Sequence, residues 1–297
     1  MPSGLAGSPL LPFATRFYLH TLAVFRLTSC IGLATLLVGW LILVPLLSPA
    51  GHAWFAAQSA LFLFASWRFL SGHLPPWHEA HIALLRLNSF GFGVVAHVMR
   101  RYLDRAASQD SDGGGLRSPL RLLMLLQLAS GASTHLMLAL LPLRLGLALP
   151  VQLAVVLTCA MHNRLLCASP ALSSPGAQHW GHRAFALLDS VCFSLVPQAA
   201  RLAPEAECAA LLTFQQLTIS LALPLVVQAA WEAGLYKQHQ SQRLTQGLSK
   251  ECGWQARLYA WIGDVLVTCD ALALLAAGWV LVGILWHLAV SLNAAPI

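Results

Sequence analysis

Long apolar segments, separated by short polar connections, run along the whole chain. A helix needs roughly 20 apolar residues to cross the hydrocarbon core of a bilayer, which is about 30 Å thick. Segments of that length predict helices at about 27–47, 53–71, 81–99, 121–142, 146–167, 184–203, 208–230 and 264–288. The pattern predicts an all-α fold, a polytopic transmembrane helix bundle of seven or eight spans, with residues 1–297 forming a single membrane domain.

The number of spans depends on segment 81–99, because Arg86 and Asn88 interrupt its apolar run. Lysine and arginine favour the cytoplasmic side of a membrane. They cluster in the connections 100–120 and 231–263, which are both predicted to be cytoplasmic. Seven spans place more of the basic residues inside than eight do, so the charge bias favours seven, with eight as the alternative. Arg86 is expected to extend to the cytoplasmic surface, or to clamp a substrate carboxylate if its segment spans.

Composition agrees with an integral membrane protein. Charged residues make up 9% of the chain and apolar residues 58%, whereas soluble domains usually contain about 25% charged residues. A formal net charge of +6 would suggest a nucleic-acid partner in a soluble protein. Here the basic residues lie between apolar segments, where membrane proteins carry them. The lipid bilayer is therefore the predicted partner, and nucleic acid is not.

The seven cysteines do not form a recognisable framework. Most of them fall inside apolar segments, and no two are spaced as CxxC. Disulfide and zinc frameworks need cysteines clustered in aqueous loops. The sequence therefore predicts that these cysteines are small buried apolar residues.

Two acidic residues inside predicted spans are candidates for chemistry. Asp189 and Asp270 each lie about six residues into a helix, which is roughly 9 Å at 1.5 Å per residue. Acids inside a membrane are costly and often functional. We therefore expect a shared site for a proton, an ion or a substrate, with Ser190 and Thr268 as additional oxygen ligands. The alternative is that both acids make hydrogen bonds between packed helices.

A histidine in the fourth predicted span is a further candidate. His135 lies past the midplane of segment 121–142. Because imidazole titrates near neutrality, a proton path could use His135 together with the two acids. The alternative is that His135 and the intramembrane glutamines form hydrogen bonds that hold the helices together.

Two histidine pairs have a spacing that suits a metal ion. His78 and His81, and likewise His179 and His182, are three residues apart, which places each pair on one face of a helix. The four imidazoles could hold one metal if both pairs face the same side, as seven spans require. The first pair is not the zinc-protease motif HExxH, because its second histidine comes one residue too soon. Neighbouring tryptophans favour the alternative, interfacial anchoring, for which no cofactor is expected.

The expected function follows from the intramembrane acids. No phosphate-binding loop, nucleophile elbow or kinase motif is present, so a function other than catalysis is favoured. We expect a small-solute or proton/ion-coupled transporter with the acids at its site. One alternative is a non-catalytic membrane receptor or scaffold that signals through the 231–263 segment. A second alternative is a membrane metalloenzyme that uses the paired histidines.

Overall fold

The computed structural model of the chain is all-helical, with no strand among the residues that it describes. Those residues are 49–71, 78–89, 99–105, 119–132, 143–192, 202–248 and 253–294, with isolated positions between 13 and 34 and at 136 and 141. The helices are α1 (Pro49–Leu70), α2 (His78–Ser89), α3 (Pro119–Ser130), α4 (Leu145–Ala160), α5 (Asn163–Cys167), α6 (Pro170–Ser173), α7 (Pro175–Val191), α8 (Pro204–Gln215), α9 (Leu223–Thr245), α10 (Trp254–Thr268) and α11 (Ala271–Ala294).

Three stretches of the described chain are long and apolar enough to cross a membrane. They are Leu145–Cys167, Pro204–Thr245 and Ala271–Ala294. In the most apolar of them, Ala271–Ala294, only 17% of the apolar window is buried inside the protein. A helix that leaves so much apolar surface uncovered is suited to contact with lipid. These three helices indicate a membrane protein.

The longest of these stretches is one continuous helix, which we call the long helix (Pro204–Thr245). It consists of α8, a π-helical segment (Gln216–Ala222) and α9. Its 42 residues correspond to about 63 Å at 1.5 Å per residue. That length is about twice the thickness of the hydrocarbon core. The long helix must therefore extend beyond any bilayer that it crosses.

Pro224 lies just after the π-helical segment in the middle of the long helix. Proline lacks the N–H that would bond to the carbonyl four residues earlier, which belongs to Ser220. Gln152 of α4 supplies a donor instead, with its Nε2 2.6 Å from the Ser220 oxygen. Membrane helices tolerate proline when a neighbouring helix satisfies the freed carbonyl in this way.

Trp286 of α11 lies in the largest apolar core. Its ring is fully buried, 4.9 Å from the ring of Phe185 on α7 and 5.3 Å from that of Phe214 on α8. Leucines of α3 and α5 pack into the same core. A second core, around Phe17 and Ile82, joins α2 to α1 and to the start of α4, and residues of α9 pack against it. The long helix thus contacts both cores.

Two predicted spans are displaced by capping residues. The span expected at 184–203 begins at Pro175, because the Oγ of Ser174 accepts a hydrogen bond from the Ala177 N–H and caps α7. The span expected at 264–288 is interrupted, and α11 begins at Ala271. The carboxylate of Asp270 accepts the Ala273 N–H at 2.7 Å and caps α11. Asp270 is therefore at a helix start and not inside a span.

Other predicted spans are shorter or lie outside the described residues. In segment 121–142, α3 ends at Ser130, because Gly131 adopts a φ of 65°, a left-handed conformation that glycine reaches without strain. In segment 81–99, the described part of the helix is α2, which covers His78–Ser89, and residues 90–98 lie outside the described residues. Most of residues 133–142, residues 193–201 and most of segment 27–47 also lie outside the described residues.

Cys167 and Cys208 form a disulfide that joins α5 to α8. The expectation that all cysteines are small apolar residues is therefore wrong for this pair. The two cysteines are 41 residues apart in the sequence, and each lies in an apolar segment, so spacing gave no sign of the bond. Among the described free cysteines, Cys192 is buried, as expected, whereas Cys159 and Cys269 are partly buried and Cys30 is exposed.

The start of α3 lies beside the start of the long helix. Leu122 and Leu126 line a small cavity together with Pro204 and Cys208. Trp231, where the other basic connection was expected to begin, follows Cys208 by 23 residues, which is about 35 Å along the helix axis. The start of α3, which follows the connection 100–120, and Trp231, with which the connection 231–263 was expected to begin, thus lie towards opposite ends of the long helix.

Candidate functional site

Among the described residues, a cluster of partly to fully buried charged side chains lies where α2, α4, α9 and α10 meet. It contains Tyr18, Glu79, Arg144, Glu232 and Tyr259, and we call it the Glu79–Glu232 cluster. Two carboxylates and one guanidinium are brought together here from segments that are far apart in the chain. Such groups are rarely buried in a membrane protein unless they pair with one another or serve a function.

Glu79 and Arg144 form a two-pronged ion pair. Arg144 donates from Nε to Oε1 at 2.5 Å and from Nη2 to Oε2 at 2.7 Å. The phenol of Tyr18 also donates to Oε1 of Glu79. Paired, charge-assisted hydrogen bonds of this kind are stronger than neutral ones and fix the orientation of both groups.

Both residues of the ion pair lie at the start of a helix. Glu79 lies in the first turn of α2, where the helix dipole favours a negative charge. Arg144 is the residue that immediately precedes α4, where the dipole of α4 disfavours a positive charge. The carboxylate of Glu79 compensates for this position.

The hydrogen bonds of this ion pair affect the pKa values of Arg144 and Tyr18. The hydrogen bonds to Glu79 raise the pKa of the Arg144 guanidinium above its ordinary value. Burial, reinforced by the hydrogen bond to Glu79, raises the pKa of the Tyr18 phenol. Arg144 therefore stays charged and Tyr18 stays protonated throughout the neutral range.

Glu232 is the second carboxylate of the cluster and is fully buried in the long helix. Its Oε1 accepts the backbone N–H of Leu145 and the Nε2 of Gln228, each at 2.8 Å. Its Oε2 accepts the phenol of Tyr259 from α10. Three donors thus converge on one carboxylate, which satisfies the charge that burial would otherwise make costly.

Burial also raises the pKa of the Tyr259 phenol, and the negative charge of Glu232 raises it further. Tyr259 therefore remains a hydrogen-bond donor to Glu232. Its ring lies 5.4 Å from that of Tyr236 and 5.9 Å from that of Phe13. The buried imidazole of His239 lies 5.7 Å from Phe13, so aromatic rings cover this side of Glu232.

Arg86 lies near the same cluster and is only 2% exposed. Its Nη2 donates to the carbonyl of Leu141 at 2.5 Å. The expectation that Arg86 extends to the surface is wrong, because the side chain is buried and bonds to the chain that precedes α4. The side chain instead joins α2 to the connection that leads into α4.

An open cleft lies next to the cluster, between α9 and α10. Its volume is about 260 Å³, and Tyr236, Lys237, Gln240, Arg257 and Tyr259 are among the residues that line it. Tyr259 lines the cleft and also donates to Glu232, so one side chain contacts both the open space and the buried carboxylate. This arrangement could pass a proton between them.

A second polar network lies about one-third of the way along the long helix, where the π-helical segment begins. The amides of Asn163 and Gln216 exchange hydrogen bonds of 2.9 and 3.0 Å. Thr213 accepts from Asn163 at 2.9 Å and from Asn293 at 3.1 Å. This network joins α5, the long helix and α11, and Arg164 of α5 also donates to the Asn293 carbonyl at 3.2 Å. Amides therefore do hold helices together here, as was expected of the intramembrane glutamines.

The structure does not bring Asp189 and Asp270 together. Asp189 is buried on α7 and accepts the indole N–H of Trp286 at 3.2 Å. Asp270 is exposed and precedes Trp286 by 16 residues on α11, which is about 24 Å along the helix. The two carboxylates thus occupy separate surroundings.

The expected oxygen ligands bond within their own helices. Ser190 is exposed and donates to the Leu187 carbonyl at 2.7 Å. Thr268 is exposed and donates to the Asp264 carbonyl at 2.7 Å. His135, the third candidate of this group, lies outside the described residues.

The two histidine pairs lie in different parts of the molecule. His81 contacts the Leu61 carbonyl at 3.1 Å, on the helix that carries Glu79, and His78 begins that helix. His182 contacts the carboxylate of Glu207 at 3.0 Å, and His179 is exposed one turn earlier on α7.

Glu207 and Glu232 mark how far apart the two pairs are. They are 25 residues apart on the long helix, or about 37 Å. His182 contacts Glu207, whereas Glu79, which lies between His78 and His81, belongs to the same cluster as Glu232. Within the described ranges, no three histidine, cysteine or acidic side chains are placed to hold a metal ion. The structure therefore does not assemble the four-histidine site.

Sequence reasoning missed the residues that the structure brings together. Glu79 lies between His78 and His81, whose spacing suggested a metal site and not an ion pair. Arg144 and Glu232 lie in or near connections between apolar segments. One signal was available: Gln228 and Glu232 are four residues apart, on one face of a helix. Comparison of the chain with models of protein families, with curated proteins and with solved structures yields no match.

Proposed function

We propose that this protein is a multi-pass integral membrane protein that transports a small solute or an ion, with Glu232 as the carboxyl group that takes up and releases a proton. The burial of Glu232 in the long apolar helix carries the proposal. A carboxyl group in such a position is expensive to maintain and marks substrate pathways and proton relays in membrane proteins.

The neighbours of Glu232 support a role in proton movement. Tyr259 donates to Glu232 and lines the open cleft, so its hydroxyl can relay a proton between the two. The Glu79–Arg144 pair lies next to Glu232 through Leu145. Its guanidinium provides a fixed positive charge beside the carboxyl group that changes charge.

We further propose an orientation for the long helix. Disulfides form and persist in oxidising compartments, and Cys167–Cys208 joins helices near the start of the long helix. The start would then face the exterior or a lumen, and the end that carries the cleft would face the cytoplasm. The basic residues Lys237, Arg243 and Arg257 at that end fit the charge bias of cytoplasmic surfaces.

The test is transport by the purified full-length protein in proteoliposomes on a solid-supported membrane. Charge movement would be recorded on rapid exchange to each of a panel of solutes: amino acids, carboxylates, sugars, nucleosides and inorganic ions. We expect a current with at least one class that depends on a pH gradient and is lost in Glu232→Gln. Glu205→Gln, an exposed acid of the same helix, is the matched control and should retain the current.

The same measurement examines the two acids first suggested by the sequence. Asp270→Asn keeps an N-cap side chain and should leave the current unchanged. Asp189→Asn keeps an acceptor for Trp286 and should also retain transport. The proposal would be abandoned if no solute evoked a current from the wild type, or if Glu232→Gln transported normally.

A further inference from the structure

The cleft between α9 and α10 has a chemical character of its own, independent of the carboxylate beneath it. Lys237 and Arg257 line it together with the amide of Gln240, and Asp264 lines it as well. Small residues, among them Ala260 and Gly263, leave the space between the two helices open. A cleft of about 260 Å³ is large enough for a small polar group.

The charges in the cleft are separated along its length. Arg257 and Asp264 are seven residues apart on α10, or two helical turns and about 10 Å. Since α10 returns along α9, Arg257 lies towards the Gln240 end and Asp264 towards the Ala233 end. Among the residues that the structure describes, neither Lys237 nor Arg257 has an ion-pair partner. The cleft thus has a basic part, at Arg257 and Lys237, where an anion can bind, and an acidic end at Asp264.

Exposed apolar side chains around the cleft indicate its position relative to the membrane. Trp254 and Trp261 on α10 are each 64% exposed, and Val267 near the end of the helix is 71% exposed. Exposed tryptophans beside an apolar helix are typical of the level of the lipid headgroups. The apolar helix α11 begins three residues after α10 ends. The cleft therefore opens at the membrane surface.

We propose that this cleft binds the headgroup of an anionic phospholipid. Arg257 and Lys237 hold the phosphate, because a guanidinium fork and an ammonium both suit phosphate oxygens. Asp264 accepts a hydrogen bond from a hydroxyl or ammonium group of the headgroup substituent and disfavours a second phosphate there. Basic pockets between membrane helices on the cytoplasmic side bind lipid headgroups in the same manner.

Native mass spectrometry of the detergent-purified full chain tests this site. The protein would be titrated with phosphatidylglycerol, with phosphatidylcholine and with inorganic phosphate as three separate probes. We expect a one-to-one adduct with phosphatidylglycerol, at lipid concentrations that give none with phosphatidylcholine. Each of the two cations is expected to contribute a similar favourable term to the binding free energy of an anionic lipid. Loss of both, in Lys237→Gln combined with Arg257→Gln, should therefore weaken the binding of phosphatidylglycerol about 30-fold.

Two further variants keep the outcome interpretable. Lys237→Arg retains the charge and should retain binding, whereas Arg243→Gln removes a cation from the same helix outside the cleft and should leave binding unchanged. Equal binding of phosphatidylcholine, or unchanged binding in the double variant, would overturn the proposal. Saturation by inorganic phosphate without any lipid adduct would also overturn it, because the occupant would then be a free anion.

Discussion

Glu232 accepts the backbone N–H of Leu145 at 2.8 Å, and the residue before Leu145 is Arg144, which holds Glu79. One peptide at the start of α4 therefore joins two carboxylates that come from opposite halves of the chain. The N–H groups at the start of a helix lack partners within it, and the side chain of Glu232 satisfies one of them from a neighbouring helix. This hydrogen bond joins α4 to the long helix, in addition to the one from Gln152 to the Ser220 carbonyl.

Replacement of Glu232 should therefore reduce stability. Glu232→Ala leaves the donors of Leu145 and Tyr259 buried without an acceptor, and each such donor is expected to cost about 1–3 kcal/mol. Glu232→Gln keeps one acceptor oxygen and should be less harmful. Thermal unfolding in detergent measures both, with Glu205→Ala as the exposed control. An alanine variant as stable as the wild type would show that Glu232 is not bonded as described.

The Glu79–Arg144 pair should appear as a coupling between the two residues. A double-mutant cycle with Glu79→Gln and Arg144→Gln compares the free energies of unfolding of both single variants and the double variant. We expect the double variant to lose less than the sum of the single losses, with a coupling of about 1–3 kcal/mol. Strictly additive losses would mean that the two side chains do not interact.

The buried phenols predict a characteristic response to alkaline pH. Tyr18 and Tyr259 have raised pKa values in the folded protein, so they stay neutral after the same groups ionise in the unfolded chain. Their contribution to stability is full below about pH 10, the ordinary tyrosine pKa, and is lost as the pH rises above it. In a pH titration followed by absorbance at 295 nm, part of the phenolate signal should form only well above pH 10. Tyr18→Phe and Tyr259→Phe should each reduce that part of the signal. Complete ionisation near pH 10 in the folded protein would contradict this.

The disulfide predicts both a thiol count and a stability effect. Alkylation of the unreduced, denatured protein should modify five of the seven cysteines and leave Cys167 and Cys208 unmodified. For a separation of 41 residues, the chain-entropy model gives a stabilisation of about 4 kcal/mol. Cys167→Ser and Cys208→Ser should therefore lower the thermal midpoint by similar amounts, and a reducing agent should have no further effect on either. Modification of all seven cysteines without reduction would exclude the bond.

Sequence reasoning located the helices best where apolar runs are uninterrupted. Segment 146–167 coincides with α4 and α5 to within one residue, and segment 208–230 lies wholly inside the long helix. The errors arose at single residues with a local role. Asp270 was placed inside a span because its helix-capping hydrogen bond was not considered, and Gly131 ends α3 within a run that is otherwise apolar.

The candidate site was much less accessible to sequence reasoning. Arg144 and Glu79 are 65 residues apart, and Leu145 and Glu232 are 87 residues apart. No local spacing connects such residues, since packing of helices α2, α4 and α9 brings them together. Asp189 makes a hydrogen bond to another helix, which was the alternative that the sequence left open, but its partner Trp286 is 97 residues away and could not be named from the pattern.

The most direct measurement determines on which side of the membrane each end of the long helix lies. Glu205→Cys and Ser241→Cys place single thiols 36 residues apart, or about 54 Å along the axis, in a chain whose native free cysteines are replaced by serine. A membrane-impermeant maleimide applied to intact cells or sealed vesicles should label only one of the two single-cysteine variants. The other variant should be labelled only after the membrane is made permeable. Labelling of both positions from the same side would contradict a long helix that crosses the bilayer.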